Sequence, residues 1–199
     1  WYKPCDLYTV FREKLFESQA NFLDLEHSNL KNVGDFAGFL KLNGEPSADQ
    51  VAHHLLYLTK KRSPVSDQIY EYLEKYPPDS SLLIDLQSQP CLYVSTESGE
   101  ARFFHPNEVF WETHPFGKFR FRLGKGFGRF QGFLNNLGVK SKPDPNDAIH
   151  VLCEISEKYG SGNLLIDDEI QNIIHSCWNF LASALINEEV SPDVLLEGL

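Results

Sequence analysis

The stretch Phe130–Gly138, FQGFLNNLG, indicates a repeated architecture because a similar stretch lies earlier in the chain. Residues 36–44 read FAGFLKLNG, and the two copies share Phe, Gly, Phe, Leu and the final Gly. A proline and then Ser47 follow the first copy, and a proline and then Asp144 follow the second. Ser and Asp are residue types that cap helix N-termini. The spacing therefore predicts an internal repeat, in which each copy opens with a helix that ends at a glycine.

The similarity continues through two further helices in each copy. Ser47 and Gln50 have the spacing of a capping box, and apolar residues then recur at the helical period. VSDQI at residues 65–69 corresponds to IDDEI at residues 166–170, and we expect each to open a third helix, with Pro64 in the first turn of the earlier one. The residues expected to match in the cores are Val51 with Ala148, Leu55 with Leu152, Leu58 with Ile155, Ile69 with Ile170, Leu73 with Ile174 and Tyr76 with Cys177.

The first copy is followed by a predicted β-hairpin. Residues 92–94 and 101–103 alternate apolar and polar side chains around a Glu-Ser-Gly turn. We therefore predict a mainly α fold with a small β-hairpin wing (α+β), built from two related three-helix units that are winged-helix-like. The predicted divisions are an N-terminal helical lead-in at 1–32, a first repeat unit with its hairpin at 33–123, and a truncated second unit at 124–199. KFRFRL at 118–123 is predicted to be a short strand with Phe119 and Phe121 inward.

The glycine-rich run GKGFGRFQGF at residues 124–133 matches neither of two ligand-binding templates. A dinucleotide-binding turn requires G-x-G-x-x-G, but Arg129 and Gln131 stand where the last glycine would fall. An RNA-recognition strand requires two stacking aromatic residues, and Arg129 and Gly132 occupy those places. We instead interpret the run as the start of a repeated helix at about 127–137. Its predicted buried stripe consists of Phe127, Phe130, Leu134 and Leu137.

Composition restricts the class of protein. The chain has 199 residues, 42 % of them hydrophobic, and a net charge of −10, which repels nucleic acid and anionic membranes. It has no apolar run of membrane-spanning length and no signal-peptide pattern, so we expect no membrane partner. Its four cysteines lack disulfide or metal spacing, which suits a reducing compartment, so we expect a cytoplasmic location with the nucleus as the alternative left open. The chain begins at Trp1 and contains no methionine, and we expect it to be a piece of a longer protein.

Basic residues are concentrated in one part of this acidic chain. Residues 117–143 hold seven Lys and Arg and no acidic residue, which leaves 11 basic against 28 acidic residues elsewhere. One interpretation is contact with phosphate or with an acidic partner. The other, which we favour, is pairing with carboxylates of the protein itself. The contact candidates, called the basic segment below, are Lys118, Arg120, Arg122, Lys125 and Arg129.

Two motifs resemble the repeated segments of very large proteins of the sacsin and NO VEIN type. They are PCLYVSTESGEARFFHPNEVFW at 90–111 and FLNNLGVKSKPDPNDAIHVL at 133–152. The first repeat copy departs from the pattern, since LNGEPSADQV lacks the LGV-K core. The resemblance implies a chaperone-like, scaffolding or defence-related parent protein with an Hsp90-like ATPase domain near its N-terminus. The ATPase boxes Asp-x-Gly-x-Gly and Glu-Asn-x-x-Asp do not occur in this sequence.

No catalytic or metal-binding pattern stands out. His150 with Cys153 and His175 with Cys177 are pairs rather than sets of four converging ligands, so buried thiols are the favoured interpretation. Of the adjacent histidines 53 and 54, we expect one ring to face water and the other to pack. The sequence lacks G-x-S-x-G and H-E-x-x-H. We therefore expect no enzymatic activity, no cofactor and no metal.

The sequence thus predicts a non-enzymatic architectural or protein-interaction module of a large ATPase-linked protein. The expected partners are adjacent domains of the parent chain or a second copy of the module. The apolar residues of the last helix exceed one core stripe, and the candidate contact residues there are Trp178, Phe180, Leu181 and Leu185. The alternative hypothesis is a winged-helix module that binds nucleic acid through the basic segment.

Overall fold

The structure is a computed structural model that describes residues 7–9, 14–23, 39, 45–95, 101–160 and 167–187. These residues are mainly helical, with three small two-stranded sheets among them. The chain divides into two compact units, one of residues 1–106 with 127–138 and the other of residues 107–126 with 139–199. This division does not follow the predicted boundary after residue 123.

Three consecutive helices lie in the first unit: α1 at Ala48–Lys61, α2 at Asp67–Lys75 and α3 at Ser80–Gln87. The predicted capping box is confirmed, because the Ser47 hydroxyl accepts from the Gln50 N–H while the Gln50 side chain accepts from the Ser47 N–H. Helix α2 starts after the N-cap Ser66, so the prediction that Pro64 lies in its first turn was wrong. Helix α3 was not predicted, and its N-cap Asp79 makes no side-chain cap.

The predicted hairpin is confirmed. Strand β3 at Leu92–Ser95 pairs antiparallel with β4 at Ala101–Phe104, and the turn lies outside the described residues. The buried Tyr70 of α2 fixes the start of this hairpin. Its hydroxyl donates to the Cys91 carbonyl and accepts from the Tyr93 N–H, each at 2.9 Å. Both backbone groups therefore keep a partner where helix and hairpin meet.

The stretch at residues 130–138, with which the sequence analysis began, folds with the first unit. A 3₁₀ helix at Lys125–Phe130 continues as α4 at Gln131–Asn136, and Gly138 follows at a φ of 100°, where glycine is favoured. Helix α4 packs against α2, whose Glu74 carboxylate accepts from the Gly132 and Phe133 N–H groups. Of the predicted stripe, Phe130, Leu134 and Leu137 are buried and Phe127 is half-buried. This packing explains why the segment does not group with the second unit.

The earlier repeat copy, 36–44, lies outside the described residues except for Phe39. Phe39 is helical and largely exposed, whereas its counterpart Phe133 is buried. The predicted helical lead-in at 1–32 needs correction too. Its described residues include β1 at Leu7–Thr9 and β2 at Asn21–Leu23, which pair in parallel. Tyr8, Phe16 and Phe22 form an aromatic cluster beside these strands.

The second unit is built on α5 at Pro145–Tyr159 and α6 at Asp168–Ile186. Asp144 caps α5 through a reciprocal capping box with Asp147, as expected for an N-cap at that position. Short strands β5 at Val109–Phe110 and β6 at Phe121–Arg122 pair in parallel. The backbone N–H groups of residues 111 and 112 donate hydrogen bonds to the carbonyls of residues 140 and 141. The buried core of this unit includes Phe110, Phe116, Ala148, Val151, Ile155, Ile170, Ile173, Cys177 and Leu181.

Several predicted core positions are confirmed and others are wrong. Leu55, Ile69 and Ile170 are fully buried, as expected. Leu152 is only half-buried beside a cavity of about 210 Å³, because the adjacent Val151 takes the core position instead. Tyr76 is exposed, because α2 ends at Lys75 and its stripe stops there.

The predicted strand at 118–123 is also wrong in its facing. Residues 117–119 form a 3₁₀ turn and only 121–122 are strand, so the expected alternation is broken. Phe119 and Phe121 are half-buried, whereas Arg120 between them is buried.

Among the helices in the described ranges, none combines the length and apolar character needed to cross a bilayer.

Candidate functional site

Three of the five basic-segment residues pair with carboxylates of the protein. The Lys118 ammonium lies 2.7 Å from Glu169 at the start of α6, and this hydrogen bond raises the pKa of Lys118. Arg129 pairs with Asp67, the first residue of α2, and its guanidinium stacks on the Phe130 ring. Pairing with internal carboxylates was the interpretation favoured from the sequence.

Arg120 is the third and the most deeply placed. Its guanidinium bonds the Glu154 carboxylate at 2.7 and 3.2 Å, and Nη1 also donates to the Phe119 carbonyl at 2.7 Å. Its side chain is only 4 % exposed, and its Nε has no partner within the described part of the chain. Arg120 therefore holds the core of the second unit and is not available to a phosphate.

Arg122 and Lys125 are the basic-segment residues that remain open. Both are exposed, and no carboxylate of the described residues forms an ion pair with either. Two lysine or arginine charges give a weaker electrostatic footprint than the five expected from the sequence.

The candidate contact residues of the last helix divide between core and surface. Leu181 is buried, so its predicted role in a contact surface was wrong. Leu185 is half-buried, and Phe180 packs edge-on against Phe116 with ring centres 5.9 Å apart. Trp178 is 46 % exposed and meets the expectation of an uncovered aromatic side chain.

Two further exposed residues extend the surface begun by Trp178. Ala182 is exposed, and Ile186 is exposed over 82 % of its surface. Residues four apart lie on one helix face, so Trp178, Ala182 and Ile186 form a continuous apolar row, called the α6 stripe below. The sequence pattern predicted Trp178 as a contact residue but not Ala182 or Ile186, although their spacing of four residues could have indicated them.

A cleft of about 700 Å³ lies in the second unit and was not foreseen from the sequence. Three separate pieces of chain form it: residues 113–115, residues 142–145 before α5, and the C-terminal part of α6. Its lining residues are Thr113, His114, Pro115, Lys142, Pro143, Asp144, Pro145, Phe180, Ser183, Ala184 and Asn187.

His114 stands in an aromatic wall of the cleft. Its ring stacks on Phe116 at 5.8 Å with an 18° interplanar angle, and its Nδ1 accepts the Phe116 N–H at 3.3 Å. Burial, followed by the charges of Arg120 and Arg122, lowers the pKa of His114. The ring is therefore neutral at pH 7 and carries its proton on Nε2.

Lys140 holds Asp144, another lining residue of the cleft, in place. Its ammonium lies 2.8 Å from Asp144 and 2.9 Å from the buried Asp147. Burial acts to lower the pKa of Lys140, but hydrogen bonds to both carboxylates outweigh it and raise that pKa. For Asp144, burial acts in the raising direction and is outweighed by Lys140, which leaves its pKa lowered. The Asp144 charge is thus already compensated.

The cysteine and histidine candidates divide between the core and the surface. Cys177 lies in the core of the second unit, where burial raises its pKa to about 11, and its helix neighbour His175 is exposed. His53 is exposed and His54 is buried against Ser18, as expected of that pair. Within the part of the chain that the structure describes, no three His, Cys, Asp or Glu side chains are grouped to hold a metal ion.

No protein-family model, no curated protein sequence and no solved structure matches this chain.

Proposed function

We propose that this chain is a non-enzymatic architectural and protein-interaction module, and that the α6 stripe is its contact surface. The single observation that carries the proposal is the exposure of Trp178 and Ile186 on a helix whose opposite face is buried in a core of its own. Because α6 already has that core contact, its folding does not require the stripe. A large exposed tryptophan within an apolar row is typical of a protein-contact surface.

The proposal extends to the fold and to the parent protein. Helices α1 and α5 both begin at capping boxes, and α2 and α6 both begin at side-chain N-caps, Ser66 and Asp167. These matched starts support two related units, and the hairpin after α3 supports a winged-helix-like arrangement of the first. The motifs at 90–111 and 133–152 support a sacsin-like, ATPase-linked parent, in which the stripe would face an adjacent domain or a second copy.

The proposed contact is tested by sedimentation velocity over a range of protein concentrations. We expect the wild-type chain to self-associate or, when extended by about a hundred residues of its parent, to fold the added segment against the stripe. Trp178→Ala should weaken self-association at least about tenfold, in line with a tryptophan at the centre of a contact. Tyr57→Ala is the matched control, because Tyr57 is 44 % exposed but lies on α1 in the other unit.

Salt separates this proposal from the nucleic-acid alternative. An apolar contact between chains of net charge −10 should strengthen as salt rises, because screening reduces their repulsion. Nucleic-acid binding should weaken, because each neutralised phosphate releases counterions. A gel shift at low salt that is lost on combining Arg122→Glu with Lys125→Glu would favour the alternative. A chain that stays a single species alone and extended, or a Trp178→Ala variant that associates like wild type, would contradict the contact proposal.

A further inference from the structure

The cleft of the second unit has the size and lining of a site for a small organic molecule. Its volume of about 700 Å³ falls within the range of known ligand pockets. Phe180, Ala184 and three prolines give it apolar walls, while His114, Lys142 and Asp144 supply polar groups at its edges. A mainly apolar concavity with a few converging polar groups is the usual form of a ligand site.

The charges that remain unpaired on the walls are positive. Asp144 is satisfied by Lys140 at 2.8 Å and by two backbone N–H groups of α5 at 2.9 and 3.3 Å. No carboxylate in the described ranges pairs with Lys142, which belongs to the lining. Arg122, which is exposed, lies close enough to His114 to act on its charge, which adds positive potential on that side.

Hydrogen-bond donors complete the description of the site. The Nδ1 of His114 is occupied by the Phe116 N–H, so the neutral ring offers its Nε2–H as a donor. The Ser183 hydroxyl donates to the Asn179 carbonyl, one turn earlier in α6, and its oxygen can still accept a hydrogen bond. The cleft thus combines an ammonium and a ring N–H with an aromatic wall.

We propose that this cleft binds a small organic carboxylate with an apolar body, whose acid group meets Lys142 and His114 while its body packs on Phe180 and the prolines. An uncharged analogue leaves the ammonium without a partner. Inorganic phosphate leaves the apolar walls in contact with water. Both therefore bind more weakly than the carboxylate.

The test is a titration of the full 199-residue chain, followed by backbone amide NMR shifts. The probe is 3-phenylpropionate, compared with its uncharged amide and with inorganic phosphate. Each is added up to about 10 mM, because we expect a ligand of this size to have a Kd of about 1 mM. For the carboxylate we expect saturating shifts at the amides of residues 113, 114, 142, 144 and 180–187. The amide should bind about tenfold more weakly, because it loses the charge contact with Lys142. Phosphate should give no saturating shift at those residues, because it makes no apolar contact.

Two variants and a control locate the binding. Lys142→Glu should weaken binding of the carboxylate at least about tenfold, whereas Lys125→Glu, an equally exposed lysine away from the cleft, should leave it within about twofold. Ser183→Trp fills the mouth and should abolish the shifts. Amide spectra without ligand show whether each variant keeps its fold. The proposal is overturned if the carboxylate gives no saturating shifts at the lining, if the amide binds equally well, or if both lysine variants behave alike.

Discussion

Replacing Glu154 by Gln tests the most demanding electrostatic feature of the second unit. Arg120 is 6 % exposed, and Glu154 is its carboxylate partner at 2.7 and 3.2 Å. The amide removes the negative charge and turns an NH₂ group toward a guanidinium that can only donate. Glu154→Gln therefore leaves a buried cation without its counter-charge.

The size of the effect follows from how much water reaches each partner. Breaking a fully buried ion pair costs about 3 to 5 kcal/mol. The Glu154 side chain is 43 % exposed, so water already screens part of the attraction, and we expect a loss of about 2 kcal/mol from the free energy of unfolding. Arg120→Met leaves only a half-exposed carboxylate, which water can solvate, and should cost less, about 1 kcal/mol.

Urea unfolding followed by circular dichroism measures both changes. With a slope of about 2 kcal/mol per molar, the Glu154→Gln midpoint should fall by about 1 M. Glu157→Gln is the control, since Glu157 lies exposed one turn further along α5 and should shift the free energy by less than about 0.5 kcal/mol. If Glu154→Gln matches that control, or if Arg120→Met is the more damaging change, the guanidinium is not desolvated and the argument fails.

Three further outcomes are expected. Tyr70→Phe should destabilise the chain by about 1 to 3 kcal/mol in urea unfolding, because it leaves the buried Cys91 carbonyl and the partly buried Tyr93 N–H without a partner. The lowered pKa of Asp144 contributes stability above the ordinary Asp value of 3.8 and loses it as pH falls through the folded value, so Asp144→Asn should flatten the acid side of the pH–stability profile. In a variant in which Cys5 and Cys177 are replaced by alanine, Cys153 should react with a thiol reagent well before Cys91. Burial raises the pKa of the Cys91 thiol to about 12.

Local patterns in the sequence predicted the helices that carry their own start signals. The capping box of Ser47 with Gln50 and the N-cap at Asp144 depend on hydrogen bonds between residues three apart, so short-range spacing is sufficient to reveal them. The hairpin at 92–104 was equally readable from its period of two. Helix α3 was missed although Asp79 is a usual N-cap residue, because its eight residues are too few to show a clear helical period and bury only Leu82 and Leu86.

The site was predicted less well, because its properties depend on residues that are distant in sequence. Lys118 and Arg122 look alike in the sequence, yet one pairs with Glu169 and the other is open. The cleft was invisible because its walls come from residues 113–115, 142–145 and 180–187, and no spacing within one segment indicates that they meet.

Sequence patterns alone were enough to predict where α1, α5 and the hairpin begin, because capping and alternation act over a few residues. Long-range packing was needed to show which unit the stretch at 130–138 joins, through the Glu74 carboxylate at the start of α4 and the burial of Leu134. Packing also buries Arg120 between two half-buried phenylalanines, against the alternation predicted for residues 118–123. Burial depends on which surfaces come together, and an arginine enters a core when a partner such as Glu154, 34 residues away, compensates its charge there.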